Sequence, residues 1–163
     1  SSTTRRTKAL WNILSQRGMG VRAVGWYASH PAEPVRGAVV SNLLMEGMPS
    51  VAGTPWPLPT GVVHAGQGVP ADLADRVAAV RVRTSDVTRD ELRELFPNLA
   101  QAPKGDARPG VLAREFARMR SLHGAALAAL AGGGWDCAFV FHDTIDTIGH
   151  HFMEFRPPRM DHV

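Results

Sequence analysis

A single cysteine and the lack of any long apolar run are the clearest absences in this 163-residue sequence. One thiol, Cys137, excludes an internal disulfide and a cysteine-rich metal site, and its place in an apolar stretch predicts a small buried thiol. No apolar segment reaches the roughly 18 residues of a membrane span, and the alanine-rich run 124–131 is too short. We therefore expect one soluble globular unit with one core, and the cellular compartment stays open.

Positive charge is present, but it is not concentrated. The net charge is +3, and basic residues mix with acidic ones: Arg76 stands near Asp72 and Asp75, and Arg118 shares its segment with Glu115. A protein that reads nucleic acid gathers its basic residues on one face or tract. A nucleic-acid polymer is therefore not expected as a partner, and the oligomeric state stays open.

Continuous apolar runs predict strands that are covered on both faces. Val21–Trp26 and Asp136–His142 have this character, and Gly37–Ser41 is a third, shorter candidate. Helices are predicted for Thr7–Gln16 and Val111–Leu130. Because helices connect the strands, the predicted fold class is α/β. The first two runs are expected to be neighbouring, parallel central strands of a mostly parallel sheet.

The segment from Asn42 to about Gly110 has a different texture. Closely spaced prolines prevent regular helix around Trp56, which is the expected anchor of the segment. A capping box formed by Thr88 and Glu91 opens a short helix. The apolar residues of that helix are expected to face the core: Leu92, Leu95 and Phe96.

The longest predicted helix, Val111–Leu130, carries large apolar residues at three- and four-residue intervals. They predict one buried stripe made of Leu112, Phe116, Met119, His123, Leu127 and Leu130. His123 interrupts the stripe, and no second metal ligand stands at helical spacing from it. We therefore expect His123 to be a buried imidazole bonded to the backbone.

Asp146 and His150 lie four residues apart, directly after the strand candidate Asp136–His142. A helix that starts near Asp143 places the carboxylate and the imidazole on one face, with their polar atoms roughly 3 to 5 Å apart. A carboxylate oxygen and an imidazole nitrogen are two ligands of a zinc-type site. The alternative is that Asp146 faces solvent in the first turn, where the helix dipole favours it, and His150 only packs.

The same region carries a family resemblance. The residues concerned are Trp135-Asp136, Ile145–His150, Phe152-Met153 and Pro157-Pro158-Arg159. Together with the early segments 8–14, 21–26 and 35–41, they resemble the type I phosphodiesterase/nucleotide pyrophosphatase family of the alkaline phosphatase superfamily. The resemblance implies a partial alkaline-phosphatase-like three-layer α/β/α sandwich. It also implies a single partial catalytic domain over 1–163, with a cap-like insertion at about 42–110.

That family uses two metal ions, held by two Asp-His sets and another histidine, with a threonine or serine nucleophile. The resemblance places the nucleophile upstream of Ser1 and the remaining ligands downstream of Val163, so we expect an internal fragment that is inactive alone. Asp146 and His150 then hold the metal that does not bind the nucleophile. The intact enzyme is expected to use two zinc ions on a small phosphoester or nucleotide substrate.

Three further side chains are candidates for supporting the site or contacting substrate. His142 ends the last strand, where it either supports the metal ligands or has a plain structural role. His30 follows the first strand and either lines a pocket or is an exposed loop histidine without a partner. Arg159 either belongs to the stop after the last helix or approaches a phosphate.

Two hypotheses from different classes follow. The first is a phosphodiesterase or nucleotide pyrophosphatase fragment that carries one pair of metal ligands. The second is a non-catalytic α/β module that binds a ligand or partner through the 42–110 segment, and a fragment of a related phosphomutase or sulfatase is a further alternative. Whether the 42–110 segment caps the catalytic face or only connects elements also stays open.

Overall fold

The computed structural model describes residues 1–49 and 53–153. Within these residues the strands are β1 (Val21–Val24), β2 (Gly37–Val40), β3 (Val63–Ala65) and β4 (Cys137–Val140). The helices are α1 (Leu10–Gln16), α2 (Leu73–Ala79), α3 (Arg89–Leu95), α4 (Arg108–Leu130) and α5 (Thr144–Phe152). Short 3-10 turns occupy Ser2–Thr4, Thr84–Asp86 and Pro97–Gln101.

The four strands form one mixed sheet in the order β3-β2-β1-β4. Strand β1 runs parallel to β2 and to β4, with Val21 opposite Gly37 and Cys137, whereas β3 is antiparallel to β2. The predicted α/β class and the parallel pairing of β1 with β4 are therefore confirmed. The expectation that β4 is a central strand is wrong for the described chain, because β4 forms the sheet edge and Cys137–Val140 are only half-buried.

Helices cover both faces of the sheet. Alternation along β1 turns Val21 and Ala23 towards α1, in a cluster that includes Trp11. Val24 points to the other face, where it packs in a larger cluster formed with residues of α2 and α4. None of the helices in the described ranges combines the length and the apolar character that a membrane span requires.

Helix α4 buries a different side from the predicted stripe. The buried residues of α4 are Leu112, Glu115, Ala117, Ser121, Leu122, Ala125, Ala126 and Ala129. Leu127 is 57% exposed, and His123 is exposed rather than buried against the backbone. Small side chains let the helix lie close to its neighbours: a Cβ at Gly124 would stand 2.8 Å from Val80. Close approach therefore selects the alanine side over the side with larger residues.

Helix α3 begins with the predicted capping box, in which the Thr88 hydroxyl accepts from the Glu91 amide and the Glu91 carboxylate accepts from the Thr88 amide. Leu92 is buried, but Leu95 and Phe96 are exposed, so that part of the prediction is wrong. The reason is that α3 packs mainly against the 3-10 turn that follows it rather than against the sheet.

The proline-rich segment is tied to the rest of the fold in two ways. The Trp56 indole donates to the Glu46 carbonyl, and the Arg81 guanidinium stacks 3.4 Å from the Trp56 ring centroid. Burial together with the nearby Arg83 charge lowers the pKa of Arg81 to about 10. Strand β3 and buried Leu73 of α2 belong to the main sheet and its core, so this part of 42–110 does not stand apart from the domain.

Arg22 is a charged residue inside β1, yet it is only 1% exposed. Its guanidinium donates to the carbonyls of Ala129 at 2.9 Å, Gly68 at 2.8 Å and Val21 at 3.1 Å. These bonds tie the sheet to the end of α4 and to the loop before α2. Desolvation lowers the pKa of Arg22 from its ordinary value.

We expect Arg22→Met to lower the free energy of unfolding by about 2 to 4 kcal/mol, because buried carbonyls lose charged donors. The measurement is equilibrium unfolding in urea. Arg36→Met, at an exposed arginine beside β2, is the control and should change stability by no more than about 0.5 kcal/mol. Equal effects of the two variants would contradict the role given to Arg22.

Candidate functional site

The carboxyl ends of the parallel strands β1, β2 and β4 lie at the same end of the sheet, which is where open α/β sheets bind ligands. A cavity of about 440 Å³ opens there between the chains that leave these strands. Its polar lining includes Ser41, Asn42, Asp143 and Thr147. Gly25 lines this cavity and packs closely against its neighbours: it has φ +76°, and a Cβ there would stand 2.7 Å from Leu122 Cδ1 and 2.8 Å from the Phe141 carbonyl oxygen.

Asp146 and His150 lie on α5, which starts directly after β4 and is preceded by Asp143 as its N-cap residue. Asp146 Oδ1 and His150 Nε2 are 3.6 Å apart, inside the predicted range. The two side chains are 74% and 78% exposed, respectively. Asp146 therefore faces solvent, as the alternative expects, whereas His150 does not only pack, since it is exposed and lies next to Asp146. The pair lines an open depression on α5 with Gly149 and Met153 and does not line the 440 Å³ cavity.

The pair fits two ligands of a zinc-type ion. Tetrahedral coordination with ligand distances of about 2.0 to 2.2 Å separates neighbouring ligand atoms by about 3.3 to 3.6 Å. The observed distance between Asp146 Oδ1 and His150 Nε2 lies at the upper end of that interval. Across the described ranges, no third histidine, cysteine or acidic side chain joins them. The described residues therefore offer two candidate protein ligands, and metal binding itself stays a prediction.

An ionic network stands behind the start of α5. Arg118 of α4 donates to Asp143 Oδ2 at 2.7 Å and to Glu115 Oε2 at 2.8 Å. Arg114 also donates to Glu115, whose side chain is only 2% exposed. Burial acts to lower the pKa of Arg118, but the charges of Asp143 and Glu115 outweigh it and raise that pKa. The network fixes the position of Asp143, and with it the first turn of the helix that carries Asp146.

His30 is half-buried and has a hydrogen-bond partner, so the alternative of an exposed loop histidine is not what the structure shows. Its Nδ1 lies 3.2 Å from the hydroxyl of Ser41, which is fully buried at the end of β2. The neighbouring residues Ser29 and Asn42 are also hydrogen-bonded: the backbone amide of Asn42 donates to the Ser29 hydroxyl at 3.0 Å. These contacts join the loops after β1 and β2. The sequence carried no signal for them, since they link loops that are separated by a strand.

His142 is half-buried two residues after β4, and its ring contacts that of His123 of α4, with ring centroids 6.2 Å apart. His142 packs against the outer side of α4. Among the described residues, no contact joins it to Asp146 or His150. His151 is exposed next to Phe152. Arg159 lies outside the described residues, so its candidate role stays a prediction.

The arginine–carboxylate network is the part of this region that the sequence reading missed. Glu115 and Arg118 stand at the i, i+3 spacing typical of a helical ion pair, so that half could have been found. The link from Arg118 to Asp143 spans 25 residues and needs the tertiary fold.

Comparison with known proteins adds no relative: no family model, no curated protein and no solved structure matches this chain. The structure shows an α/β domain in which Asp146 and His150 approach each other on the helix that follows the parallel strand β4.

Proposed function

We propose that this chain is part of a metal-dependent phosphodiesterase or nucleotide pyrophosphatase, to which it contributes Asp146 and His150 as one pair of metal ligands. The observation that carries the proposal is the 3.6 Å approach of Asp146 Oδ1 and His150 Nε2. Their position supports it, because α5 begins at the end of the sheet where the carboxyl ends of the parallel strands lie. This is the end at which open α/β sheets bind ligands. The family resemblance of the same residues supplies the reaction class.

Residues of this chain would position the two proposed metal ligands. Asp143 is tied by Arg118 to α4, so α5 starts from a fixed point. From there Asp146 presents a carboxylate oxygen and His150 presents Nε2, which must be unprotonated to bind, so acid weakens the site. A zinc ion held by this pair would supply positive charge to phosphoryl oxygens and would acidify a bound water.

We expect the 163-residue chain alone to show only background hydrolysis of a nitrophenyl phosphodiester in the presence of zinc or manganese. Two protein ligands are fewer than the three that catalytic zinc sites provide, and among the described residues no third joins them. The measurement is nitrophenolate release by the purified chain against a buffer blank. A robust rate that disappears in His150→Ala would contradict the expectation that further ligands are needed.

A second candidate, a non-catalytic binding module, is favoured by a different observation. An apolar groove of about 500 Å³ lies between the turn after α3 and the start of α4, lined in part by Leu95, Phe96, Leu99 and Leu112. Exposed Leu95 gives this groove an apolar rim that the hydrolase proposal does not use.

Two observations would distinguish the candidates. A threonine or serine near an aspartate, encoded directly upstream of Ser1, would favour the hydrolase. Activity on phosphomonoesters or sulfate esters alone would favour the related phosphomutases or sulfatases.

A further inference from the structure

A second group of side chains that can bind metal lies on the outer side of α4, away from the sheet. Met119 and His123 of α4 and His142 at the end of β4 line one cavity of about 580 Å³. Ile145 and Ile148 of α5 form much of the remaining wall, and Ile145 is 83% exposed. This is the side of α4 that the sequence pattern placed in the core.

The two imidazoles stand at a separation that one ion can bridge. The ring centroids of His123 and His142 are 6.2 Å apart, and the ring planes make an angle of 37°. Two imidazoles that share an ion at metal–nitrogen distances of about 2 Å have centroids about 5 Å apart at a tetrahedral angle and about 6.3 Å apart when the two nitrogens lie on opposite sides of the ion. The observed separation lies near the second limit, so the two imidazoles would bind the ion from nearly opposite sides.

The third group on this cavity is a thioether. Met119 precedes His123 by four residues on α4, so both side chains leave the same face of the helix, one turn apart. Thioether sulfur is a soft ligand that selects Cu(I), and imidazole also suits copper, whereas carboxylate-binding ions gain nothing from sulfur. Two imidazoles and one thioether therefore make a donor set of copper type.

We propose that Met119, His123 and His142 form a Cu(I) site that joins α4 to the junction of β4 and α5. The imidazoles are available, since neither ring takes part in a hydrogen bond within the part of the chain that the structure describes. His123 is exposed, so its ring can turn towards an ion without disturbing the core.

The charge around the cavity suits a monovalent ion. Arg120 is the charged residue of its lining. The Arg120 guanidinium donates to Glu91 at 2.7 Å, which offsets its positive charge. A singly charged copper ion meets less residual repulsion here than a divalent ion would.

The test is Cu(I) binding by the whole chain under ascorbate, measured by competition with a chromophoric Cu(I) chelator, with Zn(II) as the comparison ion. We expect one Cu(I) per chain and binding at least tenfold weaker in both His123→Gln and His142→Gln. Met119→Leu should weaken Cu(I) binding while leaving Zn(II) binding unchanged, because only the soft ion uses the thioether. Saturating Cu(I) should also raise the thermal midpoint of the wild-type chain by a few degrees, and not that of His123→Gln.

Three control variants separate this site from other ligands. Cys137→Ser tests the thiol of β4, His64→Gln tests a histidine bonded to the Val35 carbonyl, and His150→Ala tests the proposed catalytic pair. Each should retain Cu(I) binding. Loss of binding in Cys137→Ser, or unchanged binding in His123→Gln and Met119→Leu, would overturn the proposal. His123 is exposed and Met119→Leu conserves volume, so neither result can be ascribed to unfolding.

Discussion

In the intact enzyme of the proposed function, replacing His150 with alanine should lower metal content and phosphodiesterase activity together, with a loss of rate of about 100-fold or more. Asp146→Asn should act in the same direction. The physical reason is that each change would remove one of the two proposed ligands, and a catalytic metal supplies several kcal/mol of transition-state stabilisation, with each 1.36 kcal/mol worth a factor of ten. The measurements are zinc content by elemental analysis and the rate of hydrolysis of a chromogenic diester.

The fold should be unaffected, since both side chains are about three-quarters exposed. His151→Ala is the matched control: it removes the adjacent, exposed histidine, which lies about 100° further round α5. We expect His151→Ala to keep its metal and its activity. If His150→Ala keeps both as well, Asp146 and His150 are not the ligands.

Arg118→Met is expected to have the largest effect on stability, lowering the free energy of unfolding by about 3 to 5 kcal/mol. Arg118 pairs with two carboxylates, and one of them, Glu115, is almost completely buried. Removing the cation leaves that carboxylate with Arg114 as its remaining ionic partner and leaves Asp143 without the Arg118 bond. Chemical denaturation monitored by circular dichroism measures the change.

A matched pair on the surface provides the control. Arg93 and Asp90 form an ion pair on α3 at the same i, i+3 spacing, but both side chains are largely exposed. Arg93→Met should therefore change stability by no more than about 1 kcal/mol.

The double variant Arg118→Met with Glu115→Gln should recover part of the stability lost in Arg118→Met, because the buried charge of Glu115 is then gone. No recovery in the double variant would show that the cost comes from packing rather than from charge.

Strands β1 and β4 could be predicted because their apolar runs are continuous and the long helix α4 leads into β4. Their parallel pairing followed from those two facts. The position of β4 at the sheet edge could not be predicted, since an apolar run carries no information about which neighbour is present. Strand β3 escaped prediction because Val63–Ala65 is short, contains His64 and follows a proline-rich stretch.

The buried side of α4 was predicted wrongly for a definite physical reason. Periodicity weighs large apolar residues, and in α4 these lie on the side that carries Met119 and Leu127. The sheet instead receives a side dominated by alanine, where small volume permits a close approach and Leu122 supplies the larger contact. The same error concealed the approach of His123 to His142.

The candidate site was predictable where it depends on helix geometry and was not where it depends on tertiary contacts. The spacing of Asp146 and His150 fixed their approach as soon as α5 began near Asp143. The contacts of His30 with Ser41 and of Arg118 with Asp143 join distant segments, and no local pattern encodes them.

The most direct test of the central claim is a crystal structure of the zinc-loaded protein, with anomalous diffraction measured at the zinc absorption edge. We expect a zinc peak about 2 Å from both Asp146 Oδ1 and His150 Nε2. That peak should be missing in crystals of His150→Ala grown in the same zinc concentration. Zinc bound elsewhere, with Asp146 and His150 facing only water, would contradict the assignment of these residues as a metal-binding pair.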